Sequence, residues 1–448
     1  LIIMKLHKLL ALTLAGILLT GCNKEAGPLP EPVEPGSIET LPAATEPTIY
    51  EANPRFFGTN NCLQGLNNNI DRIANMGVDI LWIMPIFTPG ELKSVGSPYC
   101  VKDFTGINSR YGNEDDMRAI VKSAHDKGMK VILDWMANHT AWDHAWITQH
   151  PNWYTQDGSG QIISPPGMGW DDVADLNYDN AEMRAEMIKC MLYWVKNFDI
   201  DGFRCDYADG VPHYFWEDAI GQLKGAKASI FMLAEGNDFG LYDDGFDMLY
   251  DWGFNTTLQD LFNGKATIAD LNKKVISTNA QIPEGKQIMR YAINHDVIAE
   301  KAPAKLFGSN SAMCAAYVLA SVMSGAPLIY SGQEAGFNGA TSFFNYTTLT
   351  WNDDLVKAYT AINSAFHDGA NARGGVRQVR QSGKAIIVTW VNGNNAMVAL
   401  VNPTGNEMDV KMPMYFTRTT MKDCITGTTA QAPASVKLNP YGYQLFVK

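Results

Sequence analysis

Three carboxylates stand where apolar runs give out: Asp206 after Gly202-Phe203-Arg204-Cys205, Glu235 after Phe231-Met232-Leu233-Ala234, and Asp296 after Ala292-Ile293-Asn294-His295. Any one alone would more often be a helix cap or an ion-pair partner. Three in this setting, beside His139, Arg204 and His295, mark a place where charge is kept near a core for chemistry. Arg204 precedes Asp206 by two residues, and strand side chains repeat every second residue, so both face one way. The fixed charge of Arg204 is expected to lower the Asp206 pKa and hold that carboxylate ionised. Glu235 has no basic neighbour in sequence, so a raised pKa and an acid role are expected there. One ionised and one protonated carboxyl, about 5–5.5 Å apart, is the arrangement that cleaves a glycosidic bond with retention. Asn294, His295 and Asp296 would then bind sugar hydroxyls.

The segments that must hold these groups alternate between two patterns. Strand-like apolar runs occur at 49–57, 79–86, 130–139, 201–208, 230–236, 247–254, 287–296 and 326–333. Helix-period segments lie between them, most plainly at 113–128, 180–198 and 311–325. The first two open on Asn, an N-cap residue, and the first and third close on Gly. A doubly wound sheet would also alternate in this way. Eight strands with polar residues at their C-terminal ends favour an α/β fold of the (β/α)8 TIM-barrel type, whose sites are built at those ends. Residues 140–179, after the third strand, are a long excursion rich in Gly, Pro, Asp and aromatics, as functional loops often are. Beyond about residue 370 the period falls to two, with turns at Asn392-Gly393-Asn394-Asn395 and Asn402-Pro403-Thr404-Gly405. A C-terminal antiparallel β-sandwich domain is expected there.

Six segments, occurring along the chain in the family's order, resemble the α-amylase family of glycoside hydrolases, family 13. Asp134-Trp135-Met136-Ala137-Asn138-His139 is similar to its first region and Gly202 to Asp209 to its second. Ala234-Glu235-Gly236 is similar to the third and Asn294-His295-Asp296 to the fourth. Asp175-Leu176-Asn177 resembles a short additional motif, and 325–336 the eighth-strand segment. The resemblance covers residues 48–448. It implies Asp206 as nucleophile, Glu235 as general acid/base and Asp296 as the carboxylate gripping sugar hydroxyls. It also implies substrate contacts from Tyr99, His139 and His295, with Arg204 supporting Asp206. Asn138 and Asp175 match positions that in many members help bind a structural calcium ion, whose hard character suits oxygen ligands. No organic cofactor is implied. Many relatives carry Lys-His where this chain has Asp209-Gly210, so a cationic sugar contact is missing on the leaving-group side.

Composition agrees with a neutral substrate. The 448 residues include 11 Trp and 18 Tyr, many in loop-like sequence, and the formal net charge is −12. That charge argues against nucleic acid or an anionic membrane surface as partner. At the N-terminus, Lys5 and Lys8 precede an apolar run, Leu9 to Leu19, too short to span a bilayer stably. The run ends in Leu19-Thr20-Gly21-Cys22, which resembles a bacterial lipoprotein cleavage box with Cys22 as the lipid anchor. Residues 1–22 are therefore expected to be a signal segment, 23–47 a Pro-rich acidic linker, 48–369 the barrel and 370–448 the β domain. Export would permit disulfides, and among the other six cysteines Cys62 with Cys100, both in loop-like sequence near the N-terminus, is the one candidate pair, with unpaired buried thiols the expectation for most.

The leading expectation is a monomeric, exported, envelope-anchored hydrolase that cuts α-1,4 bonds in starch-like glucans with retention. A cyclodextrin- or maltooligosaccharide-preferring hydrolase, or a transglycosylase, is its neighbour within the enzyme class. A non-catalytic glucan-binding protein would lack one of the three carboxylates, and all three are present. A structural surface lipoprotein gives no reason for the constellation at all.

Overall fold

Each of the eight apolar runs forms a strand, and each strand is shorter than its run. The computed structural model describes residues 39–40, 46–298, 302–337, 339 and 342–448. The expected signal segment, residues 1–22, and with it Cys22, lies outside them. The barrel strands are β1 (Ile49–Ala52), β2 (Ile80–Ile83), β3 (Lys130–Trp135), β4 (Gly202–Cys205), β5 (Phe231–Ala234), β6 (Met248–Tyr250), β7 (Gln287–Tyr291) and β8 (Ala326–Tyr330). All eight pair in parallel, each with its sequence neighbour, and β8 closes on β1. The remainder of each run, including Asp206, Glu235 and Asp296, turns out of the barrel as loop at one common end.

Period two sorts the strand side chains. Ile49, Ile80, Trp82, Ile132, Leu233, Met248, Tyr250, Met289 and Leu328 fill the barrel interior as one cluster. Their alternates, such as Leu81, Val131, Phe203, Met232 and Ile288, face the surrounding helices. Glu51, Asp134 and Arg204 share the interior parity and are fully buried. The interior is therefore apolar until it reaches the end that carries the carboxylates.

The expected helices form with the expected caps. Asn113 starts Glu114–Asp126 in a reciprocal capping box with Asp116, and Asn180 caps Ala181–Phe198. Gly128, at φ +80°, closes the first. The third helix, Asn310–Val322, stops short of Gly325. Four further long helices, His213–Ala226, Trp252–Phe262, Ile268–Asn279 and Asp353–Asp368, complete the outer layer.

The excursion is folded: His139–Ala141 pairs antiparallel with Val173–Asp175, which draws its two ends together over the barrel mouth. The C-terminal region forms a sheet of Val376–Ser382, Ala385–Asn392, Asn395–Val401, Tyr443–Val447, Thr420–Asp423 and Thr429–Gln431. Glu39–Thr40 adds a strand at its edge, so part of the stretch read as linker belongs to this sheet. One face, with Val398 and Leu400, packs on the small sheet Met408–Lys411/Ser435–Leu438. The other joins the barrel core, where the Trp390 Nε1–H donates to the Val322 carbonyl at 2.8 Å. Cys62 and Cys100 are not bridged: both are buried free thiols, and their Sγ–H groups point to different carbonyls, those of Gly58 and Asp172.

Gly202 opens β4 at φ +153°, and a Cβ there would fall 1.8 Å from the Phe231 carbonyl oxygen of the next strand. Gly202→Ala is expected to cost at least about 3 kcal/mol through overpacking against rigid backbone. Gly221→Ala, on an exposed helical turn with nothing within 4 Å, should gain about 0.5–1 kcal/mol. Denaturant unfolding of the two variants checks the contrast; a Gly202→Ala protein as stable as wild type would refute this account of the strand start.

Candidate active site

Arg204 is the centre of the site, with no exposed side-chain surface. Its Nη1 donates to Asp134 Oδ1 at 2.9 Å and to Asp206 Oδ1 at 2.7 Å, and its Nε donates to the Tyr250 hydroxyl at 3.0 Å. Nη2 lies 2.9 Å from Glu235 Oε2 without an aligned hydrogen bond. The acid expected to have no cation beside it therefore has one, brought by the neighbouring strand. Among the described residues, its only aligned side-chain hydrogen bond comes from the Tyr207 backbone N–H, at 2.9 Å.

Burial pushes the Glu235 carboxyl up; Arg204 opposes, Asp206 and Asp296 add to the rise, and the pKa stands at about 7. The expected lowering of Asp206 is not the net outcome. Burial dominates and raises it, with Asp134 adding, while Arg204 pulls the other way. The difference between the two carboxyls is in their donors: Asp206 has a charged one and Glu235 a neutral one. Charge-assisted bonds are about twice as strong as neutral ones, so Asp206 is the one to ionise first.

A second chain of contacts runs through His295. Its Nδ1 is 2.5 Å from Glu51 Oε1, and its Nε2 is 2.9 Å from the Tyr99 hydroxyl and 3.2 Å from Asp296 Oδ1. Burial opposes charge on this imidazole, but Asp296 and Glu51 outweigh it and hold its pKa well above the usual range. With both ring nitrogens protonated, Nδ1–H donates to Glu51 and Nε2–H to the Tyr99 oxygen, leaving the Tyr99 O–H to donate to Asp134 Oδ2 at 3.1 Å. The Tyr99 and His295 rings stack at 5.4 Å. For Asp296, burial is the largest influence and raises the pKa, yet His295 brings it below the ordinary value. Its side chain is 39 % exposed, open to a ligand. His139 differs from His295: burial brings its pKa down to about 4, outweighing the Tyr99 backbone hydrogen bond and the Asp172 charge that pull it up. The two histidines assigned to one sugar thus present one neutral and one cationic ring.

A cleft of about 740 Å³ joins these groups, lined by Tyr99, His139, Asp206, Glu235, His295 and Asp296 together with aromatic walls. Phe343 and Phe344 stand on the His295 side, Tyr207 is bonded to Glu235 through its N–H, and Trp170 packs between Tyr207 and His139. Sequence reasoning missed Phe343, Phe344, Trp170, Glu51 and Tyr250, because no local spacing links them to the carboxylates, and gave no role to Tyr207 although it directly follows Asp206. Asp134 stood inside a quoted motif without a role. A separate hollow of about 400 Å³, lined by Glu46, Asp79, Lys130 and Arg373, contains none of the strand-end carboxylates.

Asn138 and Asp175 do come together, since Leu176 N–H donates to the Asn138 carbonyl. Asp175 is pushed up by burial and lowered by a hydrogen bond from Thr155, with no other acid converging on it. Among the described residues no group of three or more His, Cys, Asp and Glu side chains converges as a metal site. One carboxylate and one amide fall short of the six to eight oxygens a calcium ion takes, so these residues do not by themselves fit the ion.

Residues 50–159 and 168–396 match the family described as "Alpha amylase, catalytic domain". The chain is 29 % identical over 349 residues to the α-amylase MalA of Haloarcula japonica, covering 72 % of this chain and 49 % of that protein. It is 23 % identical to a cyclomaltodextrinase of Geobacillus thermopakistaniensis, covering 87 % of this chain and 70 % of that one. Among solved structures, an α-amylase from Lactobacillus plantarum superposes with a TM-score of 0.78 at 27 % identity, covering 90 % of this chain and 98 % of that one. The maltogenic α-amylase AmyB of Thermotoga neapolitana gives the same TM-score and coverage at 26 % identity. The chain spans about half the length of the Haloarcula relative, and its barrel, strand-end carboxylates and domain match agree: it belongs to the α-amylase family of glycoside hydrolases.

Proposed function

We propose that the protein is a retaining glycosidase that cleaves α-1,4-glucosidic bonds in starch-like glucans or maltooligosaccharides. The observation that carries this reading is the unequal support of two carboxyls in one cleft. Asp206 is bound by a guanidinium, and Glu235 is held protonated near neutrality.

In the first step Glu235 gives its proton to the glycosidic oxygen as Asp206 Oδ attacks the anomeric carbon. The carbon–oxygen bond to the leaving sugar breaks, and that sugar departs as an alcohol. In the second, the Glu235 carboxylate takes a proton from water, whose oxygen attacks the same carbon and displaces Asp206. Two inversions give net retention. Asp296, ionised and open to the cleft, accepts hydrogen bonds from sugar hydroxyls as positive charge develops on the ring. The His295 cation and neutral His139 serve as donors around the same sugar, and Tyr99 packs against it. The similarity to cyclomaltodextrinases favours short or cyclic glucans as a second reading. Product profiles on starch, pullulan and cyclodextrin separate the two.

We also propose export and anchoring through Cys22. A Cys22→Ser change should shift the protein from the membrane to the soluble fraction and abolish palmitate labelling. Labelling that persists would overturn the anchor.

Glu235→Gln keeps the shape but cannot supply a proton, so kcat should fall about 10²–10⁴-fold with maltooligosaccharide binding retained. Near-normal turnover would remove Glu235 from the acid role. In the wild type, activity should fall as pH rises through about 7, where Glu235 loses its proton, by roughly tenfold per unit. A flat profile from pH 6 to 9 would contradict this, as would a rise.

A further inference from the structure

The exchange of Lys-His for Asp209-Gly210 has a local structural consequence. Asp209 does not point at the cleft. Its carboxylate accepts from the backbone N–H groups of Asn237, at 2.8 Å, and Asp238, at 3.2 Å, tying down the loop that follows Glu235. Gly236 leaves it room, because a Cβ there would lie 2.4 Å from Asp209 Oδ1. Gly210 leaves room of another kind: a Cβ on it would fall 2.1 Å from Cε1 and 2.4 Å from Cδ1 of Tyr207. The Tyr207 ring therefore occupies the space over Gly210 that any side chain at that position would claim.

Tyr207 reaches this place by adopting a left-handed backbone, φ 43° and ψ 50°, directly after Asp206. For a bulky residue that conformation costs about 1–3 kcal/mol, and such strain is found where the surroundings fix it. The ring meets Trp170 edge to face, centroids 5.1 Å apart at 82°, and Trp170 in turn abuts His139 at 5.7 Å. The Tyr207 hydroxyl reaches Met168 Sδ, at 3.4 Å. Both rings line the cleft and both are half-buried.

Their side of the cleft follows from the chemistry. The acid must reach the glycosidic oxygen, so the leaving sugar begins on the Glu235 side. Tyr207 is bound to Glu235 through its own N–H, whereas Phe343 flanks Tyr99 and His295 on the other. We infer that Tyr207 and Trp170 form an aromatic subsite for the glucose unit on the leaving-group side, in place of the cationic contact that many relatives supply there. The inference rests on the glycosidase reading above and adds its specificity. The C–H face of a glucose ring packs on such surfaces without desolvating a charge. Because the two half-reactions traverse the same site, the subsite also receives acceptors. A glucose or maltose hydroxyl bound there gives its proton to the Glu235 carboxylate, and its oxygen attacks the anomeric carbon. The bond to Asp206 then breaks and a new α-glucosidic bond remains. The enzyme thus transfers to sugars as well as to water.

The test compares two substrates on the full chain. Maltotetraose has a sugar leaving group that fills the subsite; α-maltosyl fluoride leaves as a single atom. For Tyr207→Ala and Trp170→Ala, kcat/KM on maltotetraose should fall about tenfold or more, mainly through KM, with the loss on the fluoride at least fivefold smaller. Gly210→Ala should act in the same direction by displacing the Tyr207 ring, and Tyr207→Phe should restore most of the loss. With added maltose, the ratio of transfer to hydrolysis should drop about fivefold in the two alanine variants. Equal losses on both substrates would overturn the subsite and make the rings supports of the catalytic groups. Unaltered maltotetraose kinetics and transfer would place them outside the substrate path. A wild type inert on maltotetraose and fluoride alike would defeat the glycosidase reading itself. Trp170→Ala lies on a half-buried loop, so the comparison survives should Tyr207 variants misfold.

Discussion

The buried Arg204 guanidinium is the interaction on which the rest of the site depends. A fixed charge inside a barrel is tolerated only when its donors are matched by acceptors. Here they are met by side chains from four strands or strand ends: Asp134, Asp206, Tyr250 and, nearby, Glu235. Each partner is in turn placed by the barrel. Parallel register sets Arg204 opposite Asp134 on one side and Leu233 on the other, so Glu235 emerges two residues further along the adjacent strand. Closing the barrel in this register therefore brings the Asp206 and Glu235 carboxyls to one point, with no need for long-range loop ordering.

The two histidines show how the same element ends yield different chemistry. His295 stands between Glu51 and Asp296, and the carboxylates make it a cation despite full burial. His139, at the root of the excursion and against Trp170, is buried more strongly than the Asp172 charge can offset, and it stays neutral. Glu51 is the less visible partner. It comes from the first strand, faces inward, and leaves Oε2 without a donor. It orients the imidazole from beneath, as Tyr99 does from the cleft.

The barrel was legible because its strands are apolar runs and its helices begin at Asn caps, signals that survive in a single chain. Asp206, Glu235 and Asp296 were legible because charge at a strand end is anomalous. What escaped depended on contacts between distant segments. Nothing in the spacing of Trp170 and Tyr207 foretells an edge-to-face pair, and Phe343 reaches the cleft from the far side of the barrel. The Asp206 pKa direction was misjudged for a related reason. The local Arg204 was visible, but the burial and the Asp134 charge that outweigh it come from the closed barrel. The Cys62–Cys100 pairing rested only on both lying in loop-like sequence near the N-terminus, but Cys62 opens a helix and the two buried thiols point to different carbonyls. Helices such as Ile268–Asn279 were passed over although Thr267 and Asp270 form a capping box there.

The protonation of Glu235 is a property of the whole cluster. Glu51, Asp134, Asp206, Glu235 and Asp296 surround only two cations, Arg204 and His295, so full ionisation would leave uncompensated negative charge in a poorly hydrated space. Protons must relieve it, and they settle where the donors are weakest. Asp134 is also raised by burial, but it accepts from Arg204, Trp82 and Tyr99, three donors that favour its ionised form. Asp206 keeps its guanidinium bond, and Asp296 its imidazolium neighbour. Glu51 is also raised by burial, but it is sealed beneath His295, where no proton can reach a substrate. Glu235 alone combines a neutral donor with an opening to the cleft. The excess of carboxylates thus keeps a proton on Glu235: loss of the Asp206 or Asp296 charge would lower its pKa, and loss of the Arg204 charge would raise it.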